Sequence, residues 1–171
     1  MTHTGRPRGF TLVEFLVATS IAAFATLGIA SMFPTALRSV VAGGEITKAT
    51  TLVQGMTDII RSEPFENIEA RYNHLDTQTL NVSCPLNEGG AGPLPDDYAK
   101  KKWACDLRMT GAHDTGQGLP DGYGRVSVDC VDASGTPAAC PSTLRRVIVT
   151  VFWGESGSHS VSLVSNVARI R

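Results

Sequence analysis

One carboxylate sits where a carboxylate is costly. Glu14 is the only charged residue between Phe10 and Phe33, in a run that is otherwise almost wholly apolar or small. Inside a membrane span such a group costs roughly 2.5–3.5 kcal/mol on insertion scales, so it needs a partner, a function or a shallow seat near the headgroups. A cut between Gly9 and Phe10 would supply a partner, because it creates an α-amino group on Phe10 one helical turn before Glu14. Between neighbouring chains in an apolar bundle, that amine and that carboxylate would neutralise each other. They would also set axial register, since a mismatched neighbour leaves a buried charge unpaired.

The other reactive side chains are cysteines and histidines. Cys84, Cys105, Cys130 and Cys140 all lie beyond the apolar run. An even number in an exported domain reads as disulfides, and the close C-x-x-C pairs of a zinc site are missing. Nearest-neighbour pairing, Cys84–Cys105 and Cys130–Cys140, is the expected connectivity among the three that four cysteines allow. His3, His74, His113 and His159 are scattered, with no H-E-x-x-H, G-x-S-x-G or Walker-type loop around them. His113 with Asp114 or Asp121 reads as surface polarity, so neither a catalytic residue nor a cofactor is expected. Gly111–Gly124 lacks the D-x-D-x-D-G spacing of a strong calcium loop and reads as solvated chain, with no metal.

These groups need elements to hold them. The chain of 171 residues has room for one domain and an appendage. With 15 basic and 16 acidic residues it offers no electrostatic case for nucleic-acid binding. The apolar run, roughly 24 residues at about 1.5 Å each, spans a bilayer core with a little to spare. Arg6 and Arg8 precede it, and positive charge there keeps that end in the cytoplasm and sends the rest outward. A cleaved secretory signal fits poorly, because Ala22-Ala23-Phe24 and Ala30-Ser31-Met32 are weak small-x-small sites.

Beyond the run, Pro34 should kink the helix and Gly43-Gly44 should weaken it. Ala49, Leu52, Val53, Met56, Ile59 and Ile60 then recur at helical spacing, an apolar stripe that needs a sheet to cover. Pro64 ends this helix. Residues 65 to about 120 read mainly as loops, notably Asn87–Pro93, Pro95-Asp96-Asp97 and Asp121-Gly122, with a strand expected over Trp103–Met109. Alternation predicts strands over Tyr123–Val131, Arg145–Trp153 and about 159–170, the last two joined by a Gly154–Ser158 hairpin.

Gly9-Phe10-Thr11-Leu12-Val13-Glu14, behind a short basic leader and before an apolar run, resembles the processing site of type IV prepilins and of type II secretion pseudopilins. The resemblance implies that a prepilin peptidase cuts after Gly9, that Phe10 is then N-methylated and that Glu14 is the assembly glutamate. It implies a pilin-like α+β fold: a long N-terminal helix, half transmembrane and half amphipathic, on a small antiparallel, disulfide-bonded sheet. On this reading 1–9 is a leader, 10–33 the transmembrane and assembly helix, 34–63 its amphipathic continuation and 64–171 the extracytoplasmic domain. The stem Ala49–Phe65 is similar to that of minor pilins of the PilV kind, which tend to end in a strand pair like Arg146–Trp153 and Val161–Ile170. That points to a minor pilus subunit that initiates or modifies the filament, with a minor pseudopilin as the alternative. Its expected partners are other pilin subunits, the peptidase and an assembly platform, first in the inner membrane and then in a surface pilus.

Overall fold

The computed structural model describes residues 9–84, 97–108 and 118–169. The chain divides between Gly43 and Gly44 into two compact units, and one helix, α1 (Leu12–Ser62), contributes to both.

In the first unit α1 is an apolar rod. Its side chains face outward, Leu12 being 76% exposed and Phe24 77% exposed, and none of its most apolar stretch is buried. By length and composition it can cross a membrane. Four of its hydroxyls are satisfied inside the helix. Thr19 donates to the Phe15 and Leu16 carbonyls, Ser20 to Leu16, Thr26 to Ala22 and Ala23, and Ser31 to Gly28. Such back-bonding lets polar side chains sit in hydrocarbon without a second helix. The helix runs without interruption through Pro34, and Gly43-Gly44 does not break it.

In the second unit the rest of α1 covers a sheet. Ala49, Val53, Met56 and Ile60 are fully buried, at the spacing of one helical face. The four strands β1 (Leu75–Asp76), β2 (Tyr123–Val131), β3 (Leu144–Trp153) and β4 (His159–Ala168) lie in sequence order, all antiparallel. Val126 and Val128 on β2 and Val147, Val149 and Val151 on β3 point into the core, as period-two alternation requires. Two indoles fasten α1: Trp103 Nε1 donates to the Leu52 carbonyl and Trp153 Nε1 to the Glu45 carboxylate, each at 3.1 Å.

The stretch read as loops contains two helices, α2 (Phe65–Tyr72) and α3 (Tyr98–Arg108). Pro64 ends α1 but also starts α2, because its fixed φ is already suited to a helix N-terminus. The strand expected over Trp103–Met109 is instead the second half of α3, Met109 lying outside the described residues. Trp103, Cys105 and Leu107 do alternate, but Trp103, Ala104 and Leu107 share a helical face and are buried. No β-branched residue occurs from Asp97 to Arg108 to favour a strand. The sheet has one strand more than expected, the short β1. The last strand stops at Ala168, while Ile170, the Asn87–Pro93 loop and Pro95-Asp96 lie outside the described residues.

Both disulfides join nearest neighbours in sequence. Cys84–Cys105 ties the segment after β1 to α3, and Cys130–Cys140 closes the end of β2 onto the turn that follows. Within that second loop Asp132 accepts hydrogen bonds from the amides and hydroxyls of Ser134 and Thr136. Those bonds to the charged form, the hydroxyls first, hold its carboxyl well below the usual range.

Candidate functional site: the start of the apolar helix

Gly9, Phe10 and Thr11 precede α1 and are not helical, and Gly9 and Phe10 are exposed. No atom lies within 4 Å of where a Cβ on Gly9 would be. A peptide outside regular structure and open to solvent is what a protease needs at a scissile bond, and Gly9 and Phe10 have that setting.

Glu14 sits in the first turn of α1, where the helix macrodipole favours a negative charge. Its amide donates to Thr11 Oγ1 at 3.3 Å, and the Thr11 amide reaches Glu14 Oε2 at 3.5 Å. The Phe15 amide then donates to the Thr11 carbonyl at 3.2 Å. This reciprocal pair is a capping box, which satisfies amides that a helix start otherwise leaves open. Thr11 is a site residue that the argument from membrane cost overlooks. Its signal was present in the sequence, as threonine followed three positions later by glutamate before an apolar run.

The remaining polar residues do not converge. His74 precedes β1 and His159 opens β4, so they sit at opposite edges of the sheet. His3, His113 and Asp114 lie outside the described residues, and Asp121 forms a turn with positive φ. Among the described residues, the one grouping with metal-ligand proximity is Glu69, Cys130 and Cys140. Its two sulfurs are bonded to each other and offer no thiolate.

Residues 5–30 match the family model of the prokaryotic N-terminal methylation motif. The chain carries the type IV prepilin and pseudopilin signature. No curated protein and no solved structure matches the chain. The signature supports a type IV pilin or pseudopilin, a structural class whose members are processed by prepilin peptidase and assembled with other pilins. The α+β fold, with its long apolar N-terminal helix, small antiparallel sheet and two disulfides, is pilin-like. Signature and helix together fit anchoring in the inner membrane before assembly into a pilus.

Proposed function

We propose that this chain is a minor structural subunit of a type IV pilus, where it initiates or modifies the filament. Prepilin peptidase removes residues 1–9 by cutting between Gly9 and Phe10, and Phe10 is then N-methylated. Residues 10–33 form a single membrane span with the leader in the cytoplasm. Residues 34–63 continue the helix as an amphipathic stem, Pro34 is where it bends on assembly, and 64–171 is the extracytoplasmic domain. The observation that carries this reading is a helix start with an open Gly9–Phe10 bond, a capped Glu14 and a following apolar surface with no cover of its own.

On this mechanism the processed chain waits in the inner membrane until its helix joins those of other subunits. Glu14 on an incoming helix then pairs with an exposed α-amino group. The contact is heterologous, so it extends the filament and does not close it. The choice of a pilus over a secretion machine is supported by the likeness of the Ala49–Phe65 stem to minor pilins.

Mass spectrometry of the chain recovered from membranes tests the cut. An N-terminus at methylated Phe10 is expected, whereas an intact Met1 or a cut inside the apolar run would overturn the reading. Deleting the gene should reduce surface pili. Normal piliation with a secretion defect would assign the chain to a secretion machine instead.

A further inference from the structure

The far sides of the two long strands that flank β3 are treated differently. On β2 the residues whose amides and carbonyls point away from β3 are the even-numbered ones, and most find partners. Gly124 exchanges both groups with Thr77, Val126 pairs with Leu75, and the Val128 amide donates to Asn73 Oδ1. Further along, the Cys130 carbonyl accepts from the Ala138 amide, and the Asp132 amide donates to the Thr136 carbonyl.

The far side of β4, an edge of the sheet, has no such cover. The Arg169 amide donates to the Thr143 carbonyl at 2.9 Å, and this fixes the alternation along the strand. Odd-numbered residues exchange bonds with β3, while Ser160, Ser162, Val164, Asn166 and Ala168 turn their N–H and C=O groups outward. Among the described residues no group bonds to that row. All of these residues are exposed, Val164 to 56%. The strand is 10 residues long, about 33 Å, and contains neither proline nor an Asp, Glu, Lys or Arg. Charges, prolines and short length are how proteins blunt a sheet edge against pairing. A chain that covers the far side of β2 group by group and leaves β4 long and without charge or proline has kept the β4 edge available.

We propose that the free edge of β4 is a strand-addition site for an extended, uncharged segment of a different subunit in the same assembly. The partner being a subunit rests on the function proposed above. Main-chain hydrogen bonds would supply affinity, and the partner's inward residues would extend the half-buried row Val161, Leu163 and Val167. A second copy paired β4 to β4 is disfavoured by symmetry. Antiparallel pairing of identical strands requires a two-fold axis normal to the sheet, and that axis reverses the stem of α1 lying on it. Two stems of opposite direction do not suit chains anchored through the same end in one bilayer.

Amide exchange on the full processed chain, compared between detergent micelles and assemblies recovered from cells, tests the site. Ser160, Ser162, Val164 and Asn166 should exchange fast in micelles and on the order of 100-fold slower in the assembly, while odd-numbered neighbours are slow in both. Val164→Pro deletes one outward N–H at a position where an edge strand tolerates proline, and Val164→Thr keeps it. The proline variant should be cut after Gly9 like the wild type yet recruited about 10-fold less, with the threonine variant unaffected. Loss of the Gly9 cut in the wild type would fault the functional reading and not the edge. Three outcomes would overturn the proposal: even-numbered amides already slow in micelles, wild-type recruitment of Val164→Pro, or efficient disulfide homodimers of Val164→Cys in the assembly.

Discussion

Thr11 and Glu14 cap the same helix end reciprocally, each side chain serving the other's backbone amide. The Glu14 carboxylate is therefore oriented within its own chain. Thr11→Val removes the hydroxyl that receives the Glu14 amide and should cost about 1 kcal/mol of local helix stability. Amide exchange at Glu14 and Phe15 in micelles should speed up roughly 5-fold, and Thr11→Ser should restore it. Unchanged exchange in Thr11→Val would mean that the cap is not formed in the membrane environment.

Glu14→Ala separates insertion from assembly. Removing the only charge between Phe10 and Phe33 should leave membrane insertion intact, since an apolar residue there costs less than a carboxylate. Recruitment to the filament should fall at least 10-fold, because the exposed α-amino group that the incoming Glu14 would meet is left unpaired. Fractionation of membranes and sheared filaments reads both. A mutant recruited like the wild type would show that the buried pair is not used.

The residues that were legible in the sequence are those whose energetics are local. Glu14 stands out because membrane burial is costly whatever the tertiary fold, and β3 stands out because its valines alternate over a complete strand. Trp103, Cys105 and Leu107 misled, since they alternate as a strand would while the helical face of α3 is made by Trp103, Ala104 and Leu107. Pro64 was read as a stop alone, which hid α2 behind it. The open edge of β4 could not be read at all, because it depends on which strands lie beside it and which of their amides face outward.

Tyr72 makes alkaline stability informative. Its hydroxyl donates to Glu63 at 3.1 Å, and burial first, then the Glu63 charge, push its pKa up to about 12. An unfolded tyrosine ionises near 10. A raised folded pKa means stability that is complete below about pH 10 and is lost as pH rises from there through about 12. Denaturant midpoints measured from pH 9 to pH 11.5 should fall in the wild type, and less steeply in Tyr72→Phe. Parallel curves for the two would remove Tyr72 as the cause.

Reduction should weaken the second unit without touching the first. The two disulfides close separations of 21 and 10 residues, and chain entropy assigns each about 3 kcal/mol. Cys130→Ser with Cys140→Ser, or the corresponding pair at 84 and 105, should lower the denaturant midpoint of the domain. The cut after Gly9 should proceed as before. Impaired cutting in either pair would tie processing to the fold of the outer domain.

Two glycines should respond in opposite directions to the same change. A Cβ on Gly124 would run into the Trp103 indole, which lies over β2 and donates to the Leu52 carbonyl. Gly124→Ala must displace that ring and loosen its hold on α1, a cost of about 1–3 kcal/mol. Gly55 lies within α1, and no atom stands within 4 Å of where its Cβ would be. Gly55→Ala should stabilise the domain by about 1 kcal/mol, because it removes only the excess backbone freedom of the unfolded chain. Thermal melts of both variants beside the wild type decide the matter. If Gly124→Ala melts with the wild type, the indole is not packed against β2, and the clamp it forms on α1 is not there.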